Sequence, residues 1–259
     1  MRTIFAIAGI TIKEMYRRKD AYVLFFLTAL ITLATGSVSF FHDDQIVNYI
    51  KDICLLLIWV SALIIGLTTA ARQIPAEKES RTIFPLLAKP VSRMQLILGK
   101  FFGSWFAVGI ALTVFYIFFG TVIAAKEHTI NIPSFIQALV LQWEMMAIII
   151  AAALLGSILL SAPSATITIG MVVSLCLVFV GGHLNSIALH QQQPVQDILY
   201  AIYFLLPHLE WFDIRDRLVY NWPLIAWADC LLVSTYALFY TALVLILTWL
   251  RFRNQRLTT

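Results

Sequence analysis

Between Glu144 and Asp197 the chain runs without a single Asp, Glu, Lys or Arg. Shorter uncharged stretches occupy residues 21–41, 53–71, 101–125 and 230–250. No single water-soluble core of this size can absorb them. The chain is 61% hydrophobic and 12% charged, whereas soluble globular domains sit near about 45–50% and about 25%. The surplus would lie exposed in patches that drive aggregation. Lipid is the solvent that fits.

A hydrocarbon core about 30 Å thick takes roughly 20 residues of helix to cross. The crossings must be helical, because backbone groups in lipid need partners within their own segment, and the period-two alternation of barrel strands is not seen. The longest run exceeds one helix, and Pro163 in Ser161-Ala-Pro-Ser-Ala165 marks its break. This predicts an all-α polytopic membrane protein with six transmembrane helices, near 21–41, 53–71, 101–125, 143–160, 166–184 and 230–250. One transmembrane domain covers 1–259. The apolar run 4–12 leads into charge without an Ala-x-Ala-like site, so it reads as part of the mature chain and not as a signal peptide.

Lysine and arginine beside the spans set orientation. Fourteen of the eighteen fall on the side shared by both termini: Arg2, Lys13, Arg17, Arg18 and Lys19, then Arg72, Lys78, Arg81, Lys89, Arg93 and Lys100, then Arg251, Arg253 and Arg256. That side is expected to be cytoplasmic. Three pieces remain outside the spans. Residues 1–20 read as an interfacial amphipathic helix, with Phe5, Ala8, Ile12, Met15 and Tyr16 at helical spacing and a basic end suited to anionic headgroups. Residues 72–95 form the long cytoplasmic loop. The outer segment 185–229 holds a short apolar stretch, 198–206, stopped by Pro207, and then Trp211, Trp222 and Trp227. It predicts short re-entrant or interfacial helices between spans five and six, with tryptophans at headgroup level.

The composition weighs against other chemistries. No basic run is interleaved with aromatics, so no nucleic-acid partner is expected. The three cysteines lie in apolar segments without a CxxC pair. The five histidines, all expected outside, match no compact ligand spacing, so no metal site is assigned. There is no G-x-S-x-G or H-E-x-x-H, and no enzyme activity is expected. Alternative functions are a membrane assembly factor, an embedded oxidoreductase or a metal-handling protein. Glu144 and Asp229, at the expected outer ends of spans four and six, are candidate pathway acids. Gly99 and Gly103 allow close helix approach where the third span begins. The small stripe Thr166, Gly170 and Ser174 suits either packing within one subunit or self-association.

The cytoplasmic loop reads Glu77-Lys-Glu-Ser-Arg-Thr-Ile-Phe-Pro-Leu-Leu-Ala-Lys-Pro-Val-Ser-Arg93, then Gly99-Lys100. It resembles the signature of ABC-2-type permeases, the export-type membrane subunits of ATP-binding-cassette transporters. Glu77, Glu79, Thr82, Leu86, Leu87, Pro90, Val91, Ser92, Arg93, Gly99 and Lys100 fit that pattern. Arg81 replaces its usual glycine, and Pro85 is an unusual insertion. The resemblance implies a homodimeric permease in the bacterial inner membrane, paired with two copies of a separate ATPase. The 77–93 stretch would couple the two, through Glu77, Glu79, Thr82, Leu86, Leu87, Pro90, Ser92 and Arg93. The chain has no GxxxxGK[ST] phosphate loop, so ATP and magnesium would belong to the partner and no cofactor to this chain. An accessory protein on the outer side is a further partner open to it. The implied cargo is hydrophobic or amphipathic.

Overall fold

Long helices and short connections make up the computed structural model, which describes residues 2–17, 22, 25, 26, 28–30, 32, 44–79, 92–127, 131–160, 162–190 and 193–254. The helices are α1 (Arg2–Arg17), α2 (Asp44–Glu79), α3 (Arg93–Glu127), α4 (Ile132–Leu159), α5 (Pro163–Leu189), α6 (Val195–Leu205), α7 (Arg215–Val219) and α8 (Trp227–Asn254), with a 3-10 turn at Leu209–Phe212. No strand occurs among the described residues. Among the described residues, four helices are long and apolar enough to cross a membrane, within Lys51–Glu77, Arg93–Ala124, Ile132–Leu159 and Trp227–Asn254, and Pro163–Phe179 adds a shorter apolar helix. The first expected span, 21–41, lies largely outside the described residues. Its described positions are helical. Of these, Phe25 packs on Phe115 at 5.6 Å and Thr28 shares a 3.0 Å hydrogen bond with Ser61.

The helices outrun the uncharged stretches, and where α2 and α3 do so Glu77 pairs with Lys100. α2 begins before Lys51 and continues to Glu79, well into the stretch expected to be loop from residue 72. The connection to α3 therefore lies within 80–92, of which 80–91 are outside the described residues. The expected break after span four is observed: Leu160 is extended, at φ −100° and ψ 138°, and Pro163 opens α5. Pro at a first helical turn costs nothing, since its missing N–H would be unpaired anyway.

Span four differs from expectation. It starts at Ile132, with Pro133 in its first turn, so Glu144 lies about 18 Å along the helix and not at its mouth. Paired polar side chains make this tolerable. Gln137 Nε2 donates to the Ile225 carbonyl at 2.9 Å and its oxygen accepts from Ile225 N–H at 3.3 Å. Tyr116 donates to Gln142 at 2.7 Å, and Ser234 to Glu144 at 2.9 Å. α4 is the hub of the bundle, packed on α2, α3, α5 and α8. Its Met146, Ile150, Ala151 and Leu154 are fully buried. Trp105 and Trp143 lock α3 to α4 reciprocally, each indole N–H donating to the other's carbonyl at 2.9 Å, with rings 4.4 Å apart.

The small stripe of α5 is used within the subunit. A side chain at Gly156 would meet the Thr166 methyl at 2.9 Å, and one at Gly170 would meet Leu67 at 2.8 Å. Gly99 and Gly103 serve α1. A Cβ at Gly99 would come 2.7 Å from Ile7, and one at Gly103 would come 2.6 Å from Thr11 and 2.9 Å from the Ala8 carbonyl. The N-terminal helix therefore rests backbone-close on the start of α3, while Phe5 and Ile10 stay exposed.

The far end of the bundle is covered by residues 206–225. The apolar stretch expected at 198–206 appears as α6, ending at Leu205 before Pro207. Leu209, Phe212, Ile214, Leu218 and Val219 are buried, and His208 N–H donates to the Tyr236 hydroxyl at 2.9 Å. Arg215 grips Asp213 through Nε and Nη2 at 2.8 and 2.7 Å and lies 5.9 Å over the Trp59 ring. Burial works against the charged guanidinium. Asp213, Asp52 and Asp216 outweigh it, and its pKa lies above the ordinary arginine value. Trp222 and Trp227 are exposed.

Gly103→Leu should wedge α1 off α3, at about 1–3 kcal/mol for such overpacking. Gly9, which has open space around its Cα, should tolerate alanine. Amide exchange over 2–17 should speed up in the first variant and stay unchanged in the second.

Candidate functional site at the basic end of the bundle

Three helix ends, those of α2, α3 and α8, converge at the basic end of the bundle, and α1 lies along the start of α3. Ser92 and Gln95 form a reciprocal cap that starts α3: Ser92 N–H donates to Gln95 Oε1 at 3.0 Å, and Gln95 N–H donates to Ser92 Oγ at 3.2 Å. Such a capping box satisfies two backbone donors that no helix can satisfy internally. The next residue reaches across the bundle. Arg93 Nη1 donates to the Phe252 and Arg253 carbonyls at 2.6 and 2.9 Å, and its guanidinium sits 5.4 Å above the Phe252 ring. A cation there meets the negative end of the α8 dipole as well as its unpaired carbonyls. Phe252 itself is fully buried.

Two turns deeper along α3, Lys100 pairs with Glu77 at 2.6 Å, with side-chain exposures of only 5% and 21%. Beside them Gln73 Nε2 donates to Ser104 Oγ at 2.7 Å, and Ser104 donates to the Lys100 carbonyl at 3.0 Å. This ladder fastens the last turns of α2 to the first turns of α3. With α1 seated on Gly99 and Gly103, the same few turns of α3 hold α1, α2 and α8 together.

Sequence residues 10–257 match the family described as ABC-2 family transporter protein. The chain belongs to the ABC-2 transporter family. It is a multi-pass membrane permease component of an ABC transporter, a transport subunit that works with an ABC ATPase. No curated protein matches the chain.

Of the permease's expected coupling residues, the structure brings Glu77, Ser92 and Arg93 to one end, each in a role inside the bundle. Glu79 closes α2, and its side chain lies outside the described residues, as do Thr82, Leu86, Leu87 and Pro90. Among the pathway acids, Glu144 is half-buried between α4 and α8 with Ser234 as its donor. Asp229 is exposed in the first turn of α8, where a carboxylate suits the helix dipole. No cluster of metal-ligating side chains occurs among the described residues. His208 is buried and His190 exposed, while His42, His128 and the side chain of His183 lie outside the described residues.

The sequence reading missed Gln73, Ser104 and the Arg93–Phe252 tie. Ser92-x-x-Gln95 is a local signal that could have been read. The Arg93 contact joins residues 159 apart and leaves no local trace.

Arg93→Ala should free the Phe252 and Arg253 carbonyls of α8 at a cost of about 1–2 kcal/mol. Hydrogen exchange over 248–254 should rise while the α4 core stays protected. Unchanged exchange there would show that the cap holds nothing.

Proposed function

We propose that this permease is the transmembrane half of an export machine in which a separate ATPase pushes on the basic end of the bundle. The observation that carries the reading is the fastening of α1, α2, α3 and α8 at the start of α3. A force applied to the 80–91 connection or to α1 would reach three long helices at once. The ATPase would dock on that connection, with Thr82, Leu86, Leu87 and Pro90 as the contact residues. Glu77 and Arg93 would act behind them as positioning residues, one through Lys100 and the other through the α8 carbonyls.

The same reading sets this end in the cytoplasm, with both termini, and places the chain in a bacterial inner membrane with six spans. The described basic residues Arg72, Arg93, Lys100, Arg251 and Arg253 gather at this end, and positive loop residues stay on the cytoplasmic side. Residues 206–225 would then be an outer, re-entrant cover. A homodimer with two ATPase copies is the assembly that the family membership supports. The exposed apolar faces of α5 and α8 suit lipid or a second copy. A hydrophobic or amphipathic cargo would move by rearrangement of the spans as the ATPase closes.

A charge swap tests the coupling role. In the reconstituted complex, Glu77→Lys should uncouple ATPase turnover from the permease roughly tenfold, and adding Lys100→Glu should restore most of it. Glu79→Lys should not be rescued by Lys100→Glu. Coupling that survives Glu77→Lys, or a loss that the swap leaves unrepaired, would contradict the role given to the pair.

A further inference from the structure

Three hydrogen-bond donors from three elements are sealed inside the outer half of the bundle with nothing to bond. They are Trp59 Nε1 on α2, Gln142 Nε2 on α4 and Arg215 Nη1 on α7, and none has a partner among the described residues. Trp59 and Gln142 are only 1% and 5% exposed. Neighbouring contacts tie them into one cluster. The Arg215 guanidinium lies 5.9 Å over the Trp59 ring. Tyr116 bonds Gln142 at 2.7 Å and is within electrostatic range of Arg215 and Asp213. α7 rests on both α2 and α4.

Two acceptor groups nearby are already used. Gln142 Oε1 takes the Tyr116 proton, and Asp213 occupies the other two nitrogens of Arg215. What is left unpaired on these three residues is a set of donors, and buried donors are rarely left unpaired in a folded protein. We propose that Trp59, Gln142 and Arg215 form a binding site for an oxygen acceptor, and that the acceptor is the uncharged hydroxyl or carbonyl head of an amphipathic molecule.

Charge selects an uncharged head. The Arg215 cation is matched by Asp213, and Asp52 and Asp216 add negative potential around it. An anionic head would meet that field unfavourably, whereas a hydroxyl or carbonyl only needs donors. The apolar part has a place to go. Ile149 follows Gln142 by seven residues on α4, two turns on and on the same face, about 10 Å deeper. Ile149, Leu67, Gly170 and Val173 line an apolar groove of about 170 Å³ roofed by Pro207 and Leu209. A head held outward with a tail directed toward the middle of the membrane is the posture of an outer-leaflet amphiphile. As the cargo class of the exporter, this rests on the reading given above. As a binding site, it does not.

The test uses the full chain labelled with 5-fluorotryptophan, in nanodiscs of ether-linked phosphatidylcholine, whose bilayer lacks ester carbonyls, and with no ATPase present. Loss of one fluorine signal in Trp59→Phe identifies Trp59. Dioctanoylglycerol should shift that signal saturably, and octane, a tail without a head, should leave it in place. Dioctanoyl phosphatidate, with the same tails and an anionic head, should need at least tenfold more to reach half-saturation. So should dioctanoylglycerol with Gln142→Leu or with Arg215→Lys, the latter keeping a cation for Asp213. No saturable shift in the wild-type chain, an equal shift with octane, or unchanged half-saturation in Gln142→Leu would overturn the site. Tighter binding of the phosphatidate would overturn the uncharged head. The readout needs no ATPase, so failure here leaves the coupling reading intact, and failure of the coupling reading leaves this one intact.

Discussion

A peptide group carried into hydrocarbon without a hydrogen-bond partner costs several kcal/mol, and a crossing segment contains about 20 of them. That cost commits every long apolar run of this chain to helix before any tertiary contact forms. What remains open is how the polar side chains on those helices are satisfied, and most of the architecture follows from the answers. Gln137 turns to the Ile225 backbone, Gln142 to Tyr116, Glu144 to Ser234, and the two tryptophans of α3 and α4 to each other's carbonyls. Each tie fixes one helix against another, or in the case of Gln137 against the covering segment, at a definite height, which apolar contact alone would not do in lipid.

The two ends of the bundle use this freedom differently. At the basic end, charges are paired across helix termini and small residues bring backbones together, so that several helices share one anchor. At the far end a single segment folds back over the helices, held by buried apolar residues and by Arg215. The first arrangement is suited to passing a push into the membrane, the second to covering what lies beneath it. Membership of the ABC-2 family supplies the partner that would do the pushing.

Much of the fold was legible because uncharged length and helical crossing are tied by bilayer thickness. The Pro163 break and the α6 stop before Pro207 were legible for the same local reason, since proline removes a backbone donor. Helix ends were not. A charged residue such as Lys100 or Glu144 reads as a boundary in one dimension, and only a partner from another helix lets it sit inside. Small residues posed the opposite difficulty. Gly99, Gly103 and Gly170 announce close approach without saying what approaches, and the answers were α1 for the first two and Leu67 for the third. In the candidate site the coupling motif was visible as a string, whereas the inward duties of Glu77 and Arg93 depend on residues distant in sequence.

The account turns on the two ends lying on opposite faces of a membrane. Single cysteines at Ser92 and Trp222, both exposed, in a background free of the three native cysteines, would be treated with a membrane-impermeant maleimide in sealed vesicles of each orientation. The account predicts that Ser92→Cys is labelled only when the cytoplasmic face is outward, and Trp222→Cys only in the reverse orientation. Labelling of both from the same face would contradict it.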